Sequence, residues 1–401
     1  MSRIIMHIDF NSYFASVEQQ ANPHLRGKAI AVAGKAGGDI NRSVVTTASR
    51  EAKARGVKTA MATWQAKKIC PELIIIPSDP QKYGDITARL LTVCRKYADD
   101  LEQFSTDEVF IDVTGGAGNY FGASMMALMI RRDLKTACGS VCTVSIGIAP
   151  NKLVAKLASE SVKPNGLTVV RPSDVEDFVK SRPLADFCGI GPRMEKRLAE
   201  IGVTSVATLR TLPRAQLINL FKSYGTWLAD AAHGLATDVL EDDDAAPKSI
   251  GHSYTFPHDP HTIPEVKKNL LAMCDRVAWR LRGQHFVASR VSVYVRYGDF
   301  GSDGCAKLLN IPISDGLTIS QNAWALLSPR LDLNRGVRLI GISVSDFKTI
   351  KLPVSLFRKD RRMQRVVVAL DRVQTKFGQD SWHRASTTPL PDGLSHGFVT
   401  N

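Results

Sequence analysis

No run of this sequence approaches the roughly 20 consecutive apolar residues that a membrane-spanning helix needs. The seven cysteines, at 70, 94, 138, 142, 188, 274 and 305, are odd in number and make no repeated Cys-x-x-Cys pair. That pattern argues against a zinc site and against a disulfide framework, and reads as reduced core thiols of a cytosolic protein. The opening Met-Ser-Arg-Ile-Ile-Met-His-Ile-Asp meets an acid at residue 9, too early for a secretory signal. No internal repeat is evident. Acid is the scarcer charge: 39 Asp and Glu stand against 52 Lys and Arg, for a net +13. Such a surplus suits solubility, and it also suits a polyanionic partner, nucleic acid above all. What is present is the balance of a globular protein, 44% hydrophobic and 23% charged. At 401 residues the chain outgrows one ordinary core, so roughly two to four domains are expected.

One stretch organises the rest: Phe104-Ser-Thr-Asp107-Glu108-Val-Phe-Ile-Asp-Val113. Residues 101–104 read as a short strand, and Val109, Ile111 and Val113 alternate as a second one. Asp107 and Glu108 then sit at a strand junction. Two adjacent carboxylates there are either an acidic turn in solvent or, with further acids, oxygen ligands for a hard divalent cation. Asp9 is the further acid. It ends the apolar run 4–8, a buried strand, just before Ser12, an N-cap candidate for a helix with Phe14 and Val17 on one face.

Residues 22–77 are small and mixed, with strands at 28–33 and 44–47 and helices at 49–55 and 62–69. Arg50, Lys53, Arg55 and Lys58 form either a solvated basic face or a triphosphate grip. Helical patterns follow at 80–97 and 123–134, a strand at 143–149, and a helix at 151–161 that carries Lys152 and Lys156 on one face. Pro164 must stop that helix near Lys163, where a cation is welcome. Strands and helices interleaved around a hairpin predict an α+β protein with a mixed sheet.

Cys188-Gly189-Ile-Gly191 precedes a helix from 194 to 201, the pattern of a helix-hairpin-helix. Bare glycines there let backbone N–H groups approach a phosphate without reading a base, with Lys196 close by. Residues 235–247, with Glu241-Asp-Asp-Asp244, read as a solvated tether. Residues 249–348 then repeat β-α-β-β-α-β. Ser292, Tyr294 and Arg296 would line its open face, as an ordinary polar surface or as a seat for a duplex backbone. A basic tail with a helix over 363–377 closes the chain.

Three strand-end acids, a lysine at a helix end and two candidate DNA-backbone modules fit two-metal phosphoryl transfer. The sequence also resembles the Y-family translesion DNA polymerases of the DinB (polymerase IV) and UmuC kinds. The matching stretches are His7-Ile-Asp9-Phe-Asn-Ser-Tyr-Phe14, Ser105-Thr-Asp107-Glu108-Val-Phe-Ile-Asp, Gly147-Ile-Ala-Pro-Asn151-Lys-Leu-Val-Ala-Lys156, Lys163-Pro-Asn-Gly166, Cys188-Gly-Ile-Gly191 and Lys248-Ser-Ile-Gly251. The resemblance implies a palm (1–21 and 78–170), small fingers (22–77), a helical thumb with the helix-hairpin-helix (171–234), a linker (235–248), a separate little finger (249–348) and a basic tail (349–401). It implies Asp9, Asp107 and Glu108 as catalytic metal ligands with the Phe10 carbonyl, for two Mg²⁺ ions, with Mn²⁺ as a substitute. It implies Phe14 as the steric gate against a ribose 2′-hydroxyl, and Tyr13, Thr47, Arg50, Lys53 and Lys163 around the nucleotide. Gly189, Gly191, Lys196 and Arg296 fall to the DNA.

The expected partners are primer-template DNA, a deoxynucleoside triphosphate and, through Pro353-Val-Ser-Leu-Phe357, the sliding clamp. A monomer in the cytoplasm, associated with the nucleoid, is expected. Departures from the family pattern stand at Arg50 and Lys53, where a Tyr and an Arg are usual, at Asn11, where DinB proteins commonly have Asp, and in the clamp segment, which lacks its leading Gln. Lys53 lacks the bidentate fork of an arginine. The other readings of the same residues are a non-catalytic DNA-binding scaffold that recruits repair factors, and a nucleotidyl cyclase with a similar site.

Overall fold

The computed structural model describes residues 3–34, 40–237, 239–241, 246–349, 358–378, 381–387 and 399–400. The chain divides into two compact units, residues 1–30, 47–54 and 79–244 in one, and residues 31–46, 55–78 and 245–401 in the other.

The first unit is built on a five-stranded sheet. Its order is Leu101–Gln103, Glu108–Asp112, Ile5–Phe10, Val144–Ala149, Leu167–Val169. Neighbours are antiparallel except the last pair, which is parallel, so the sheet is mixed as the alternation of elements suggested. Ile5–Phe10 and Val144–Ala149 are buried along their whole length, which explains why both read as continuous apolar runs. Helices Tyr13–Ala21, Pro80–Cys94, Tyr120–Cys138 and Lys152–Ser161 pack on this sheet or on one another. Gly147 is where Lys152–Ser161 comes closest: a Cβ there would lie 2.0 Å from the Ala155 carbonyl oxygen and 2.5 Å from the Ser159 nitrogen. Five further helices, Val175–Lys180, Pro192–Glu200, Val206–Thr211, Arg214–Phe221 and Ser223–Ala232, follow. Leu198, Leu209, Leu217 and Leu228 share a core with Ala155 and Ala158 of the helix on the sheet.

Residues 30–77 carry a three-stranded sheet ordered Val45–Ala48, Ile30–Ala33, Ile74–Pro77, and helix Thr63–Ile69. In the second unit the C-terminal part runs Ser249–Thr255, helix Ile263–Gly283, Phe286–Tyr297, Ser302–Ile313, helix Gly316–Leu327, Val337–Thr349. This is the expected β-α-β-β-α-β order. Val291, Val293, Val295 and Tyr297 are buried against Leu270, Met273 and Ile319 of the helices. The alternate residues Ser292 and Tyr294 are half-buried and Arg296 is exposed, as a period of two requires.

Several local readings change. Ser12 does occupy the N-cap position of Tyr13–Ala21, but with φ at 51° and no side-chain cap. The strand Ile74–Pro77 was not read in the sequence, because three isoleucines between prolines carry no alternation. The tail helix starts at Arg358, not 363. The tether is not wholly solvated: the Glu241 N–H donates to the buried Glu102 carboxylate at 2.7 Å. That carboxylate also takes the Lys152 ammonium at 2.6 and 2.7 Å. The candidate clamp segment 353–357 lies outside the described residues. Among those residues no helix is long and apolar enough to cross a membrane.

Candidate active site

The antiparallel pairing of Ile5–Phe10 with Glu108–Asp112 sets Asp9 directly opposite Glu108. Residues opposite one another in such a pair project from the same face. His7, two residues before Asp9, shares that face. Asp107 precedes the strand in the turn, and its carbonyl accepts the Phe10 N–H at 3.1 Å. Asp9 and the adjacent pair Asp107 and Glu108, about a hundred residues apart in sequence, therefore meet at one end of the sheet.

Each carboxylate has its own neighbours. Asp9 is paired with the Lys163 ammonium at 2.7 Å, and Lys163 also holds Glu160 at 2.6 Å. Burial pushes the Asp9 carboxyl well above its usual range, against the pull of Lys163. Glu160, in hydrogen-bond contact with Asp9, is held below its ordinary value despite burial. Glu108 takes the Lys156 ammonium, and His7 Nε2 stands 3.1 Å from it without the geometry of a good hydrogen bond. Burial opposes the Glu108 charge, but His7 and Lys156 outweigh it and bring its carboxyl down to about 2. His7 is wholly buried, which lowers its imidazole to about 4 and leaves it neutral, with Nδ1 2.7 Å from the Ser159 hydroxyl. Asp107 accepts the Ser105 hydroxyl at 2.6 Å; burial first, and the Glu108 charge as well, raise its carboxyl.

This donor set is oxygen-rich and under-neutralised. Three acids, two of them with raised carboxyls, suit a hard divalent ion better than zinc or copper. The arrangement is not a finished cage. Among the described residues no three His, Cys, Asp or Glu side chains converge on a common point. Lysine ammoniums take up the Asp9 and Glu108 carboxylates, which is the cheapest way to hold two buried acids side by side.

The helix Lys152–Ser161 supplies the partners that the sequence left unassigned. Lys152, Lys156, Glu160 and Lys163 are spaced 4, 4 and 3, one helical face and the turn beyond it. Lys152 and Lys156 were read from that spacing, and Glu160 could have been found from it too. His7 could have been found from its two-residue offset to Asp9.

Phe14 is half-buried at the start of Tyr13–Ala21. Tyr13 is 2% exposed, and its hydroxyl donates to the Tyr83 carbonyl at 2.6 Å, so its side chain lies inside the wall of the site. Lys53 feels the charges of Lys163, Asp9 and Glu160, and its ammonium is lowered, by desolvation first and Lys163 second. Arg50 donates to the Thr143 hydroxyl at 2.5 Å. Thr47 is half-buried on Val45–Ala48. Gly189, with φ at 119°, Gly191, the N-cap of Pro192–Glu200, and Lys196 are all exposed in the first unit. Arg296 is exposed in the second, its Nε 3.1 Å from the Tyr294 hydroxyl.

Known proteins match the chain along most of its length. The impB/mucB/samB family model matches residues 8–160, its C-terminal domain residues 247–354, and its helix-hairpin-helix motif residues 172–203. DNA polymerase IV of Desulfatibacillum aliphaticivorans is 34% identical over 384 residues, 94% of either chain. DNA polymerase IV 1 of Bacillus subtilis is 31% identical over 408 residues, covering all of this chain and 97% of the relative. Among solved structures, a chimera of the Y-family DNA polymerases Dbh and Dpo4 superposes with a TM-score of 0.78 at 28% identity, over 86% of this chain and 98% of that one. An insertion ternary complex of Dbh DNA polymerase matches at 0.61 and 26%, over 85% and 98%. Family model, relatives and fold agree, and the chain belongs to the impB/mucB/samB family of Y-family DNA polymerases.

Proposed function

We propose that this DNA-directed DNA polymerase adds deoxynucleotides to a primer 3′ end across damaged templates, by two-metal phosphoryl transfer in DNA damage tolerance. The observation that carries the reading is the register that sets Asp9 against Glu108, with Asp107 one residue before it. Asp9, Asp107, Glu108 and the Phe10 carbonyl would hold two divalent cations, Mg²⁺ by the hardness of the donors. When bound, such ions lower the pKa of the attacking hydroxyl and offset charge on the leaving phosphate.

The protein side of the mechanism is position and field. With a cation held by Asp9 and Glu108, Lys163 and Lys156 would be free of those carboxylates. Lys163, freed, turns with Lys53 and Arg50 to the triphosphate through charge-assisted hydrogen bonds. Lys53 binds as a point charge where an arginine would fork, so the grip on the β- and γ-phosphates is looser. Phe14 presents its exposed edge to the sugar and excludes a 2′-hydroxyl. Tyr13 and Thr47 would complete the surroundings of the nucleotide.

The domains would be the palm at 1–21 and 78–170, fingers at 22–77, thumb at 171–234, linker at 235–248, little finger at 249–348 and tail at 349–401. Backbone at Gly189 and Gly191, with Lys196, would take primer-template phosphates at the thumb, and Arg296 would take them on the open sheet face. The ternary complexes of Dbh among the matching structures support DNA and nucleotide as partners.

Primer extension on undamaged and lesion templates tests the proposal. The wild-type chain with Mg²⁺ should extend, Asp107→Ala should fall to background while still binding primer-template, and Phe14→Ala should admit ribonucleotides. Extension by Asp107→Ala at the wild-type rate would overturn it.

A further inference from the structure

Four rings gathered around the start of the helix Tyr13–Ala21 make one continuous wall. Phe10 stacks on Tyr13 with ring centres 5.1 Å apart, Tyr13 meets Phe14 at 5.2 Å, and Phe14 lies against Tyr83 at 4.4 Å and 32°. Three of these are buried: Phe10 and Tyr13 at 2% exposure and Tyr83 at 4%. Phe14 alone keeps an edge in solvent. The ring behind it, Tyr83, belongs to the helix Pro80–Cys94.

Tyr83 is not free to yield. Its hydroxyl donates to Glu18 Oε1 at 2.8 Å. Glu18 follows Phe14 by four residues, so the two share a face of Tyr13–Ala21. The Glu18 carboxylate is 6% exposed and takes the Lys82 ammonium at 2.8 and 3.0 Å. A carboxylate so deeply buried is costly unless every oxygen is satisfied, and the phosphoryl-transfer chemistry has no use for this one. Its side-chain partners are the Tyr83 hydroxyl and the Lys82 ammonium. The Tyr83 backbone is held as well, since its carbonyl accepts the Tyr13 hydroxyl.

Resting on the polymerase reading, we infer that Tyr83, locked by Glu18 and Lys82, is a positioning residue that sets how strictly Phe14 excludes ribonucleotides. A gate ring excludes a hydroxyl only if it cannot tilt away from it. Phe14 has free space on its solvent edge, so its stiffness has to come from behind. Tyr83 supplies that backing, and the Glu18 carboxylate fixes Tyr83 in one rotamer. The chemistry selected for is a deoxyribose in place of a ribose, and the carboxylate–tyrosine pair acts through Phe14 without touching the nucleotide.

The experiment is single-nucleotide insertion on a primer-template, measuring kcat/KM for a deoxynucleotide and the matching ribonucleotide. Tyr83→Leu should cut sugar discrimination by about tenfold, the scale of a modest steric change in an apolar pocket, through a rise in ribonucleotide kcat/KM. Tyr83→Phe keeps the ring volume, and so the fold, but loses the hydroxyl held by Glu18; it should fall between wild type and Tyr83→Leu. Glu18→Gln keeps an acceptor for the hydroxyl and should retain more discrimination than Glu18→Leu. Wild-type discrimination in both Tyr83→Leu and Tyr83→Phe, with Phe14→Ala relaxed in the same assay, would overturn the inference and leave the polymerase reading intact. No deoxynucleotide insertion by the wild-type chain would overturn both.

Discussion

Asp9 shows the tension between stability and use in a single side chain. Its carboxyl is buried and pushed upward, so in the folded state it resists ionisation more than in the unfolded chain. The unfolded chain gives up that proton first as pH rises. Stability from this group is therefore present below the ordinary carboxyl range and drains away as pH climbs toward the raised value. Asp9→Asn removes the cost and leaves Lys163 its second partner, Glu160. In metal-free buffer at pH 8 the variant should melt a few degrees above wild type, while primer extension is lost. A thermal scan with and without chelator checks this, and an equal or lower midpoint would contradict it. At this scale the sequence was legible where chemistry repeats in a short motif: Asp9, Asp107 and Glu108 could each be named. The lysine partners of Asp9 and Glu108 could not be assigned, because Lys163 and Lys156 were read on a helix, or at its end, with no strand to set them against until the helix was laid on the sheet. Only then do Lys156 and Lys163 reach Glu108 and Asp9.

The helix Lys152–Ser161 and the strand Val144–Ala149 form the element that aims those lysines. Their closeness depends on Gly147, which has no room for a Cβ. Gly147→Ala forces the Ala155–Ser159 backbone away and should destabilise the protein by about 3 kcal/mol, read as a lower urea midpoint with unchanged slope. A midpoint within experimental scatter of wild type would contradict the packing argument. Elements with clear periodicity were legible here, above all the β-α-β-β-α-β order of residues 249–349. Ile74–Pro77 escaped because a strand of four residues with no alternation looks like any apolar segment. Ser12 was placed at the right position for the wrong reason: the chain enters the helix through a left-handed residue, and no hydroxyl cap forms.

For the whole molecule the sequence carries the charge, the division into several parts and the family, and leaves the assembly of the site to folding. The surplus of 13 positive charges suits a polyanion, yet the place where chemistry would occur gathers negative charge. Those two facts are reconciled if cations sit between the acids and the nucleotide, and this is the claim on which the rest depends. Its most direct test counts Mn²⁺ by electron paramagnetic resonance in a complex of the chain, a primer-template and a non-hydrolysable deoxynucleoside triphosphate. The account predicts two bound ions per chain in the wild type and the loss of at least one in Asp107→Asn. An identical count in both proteins would contradict it.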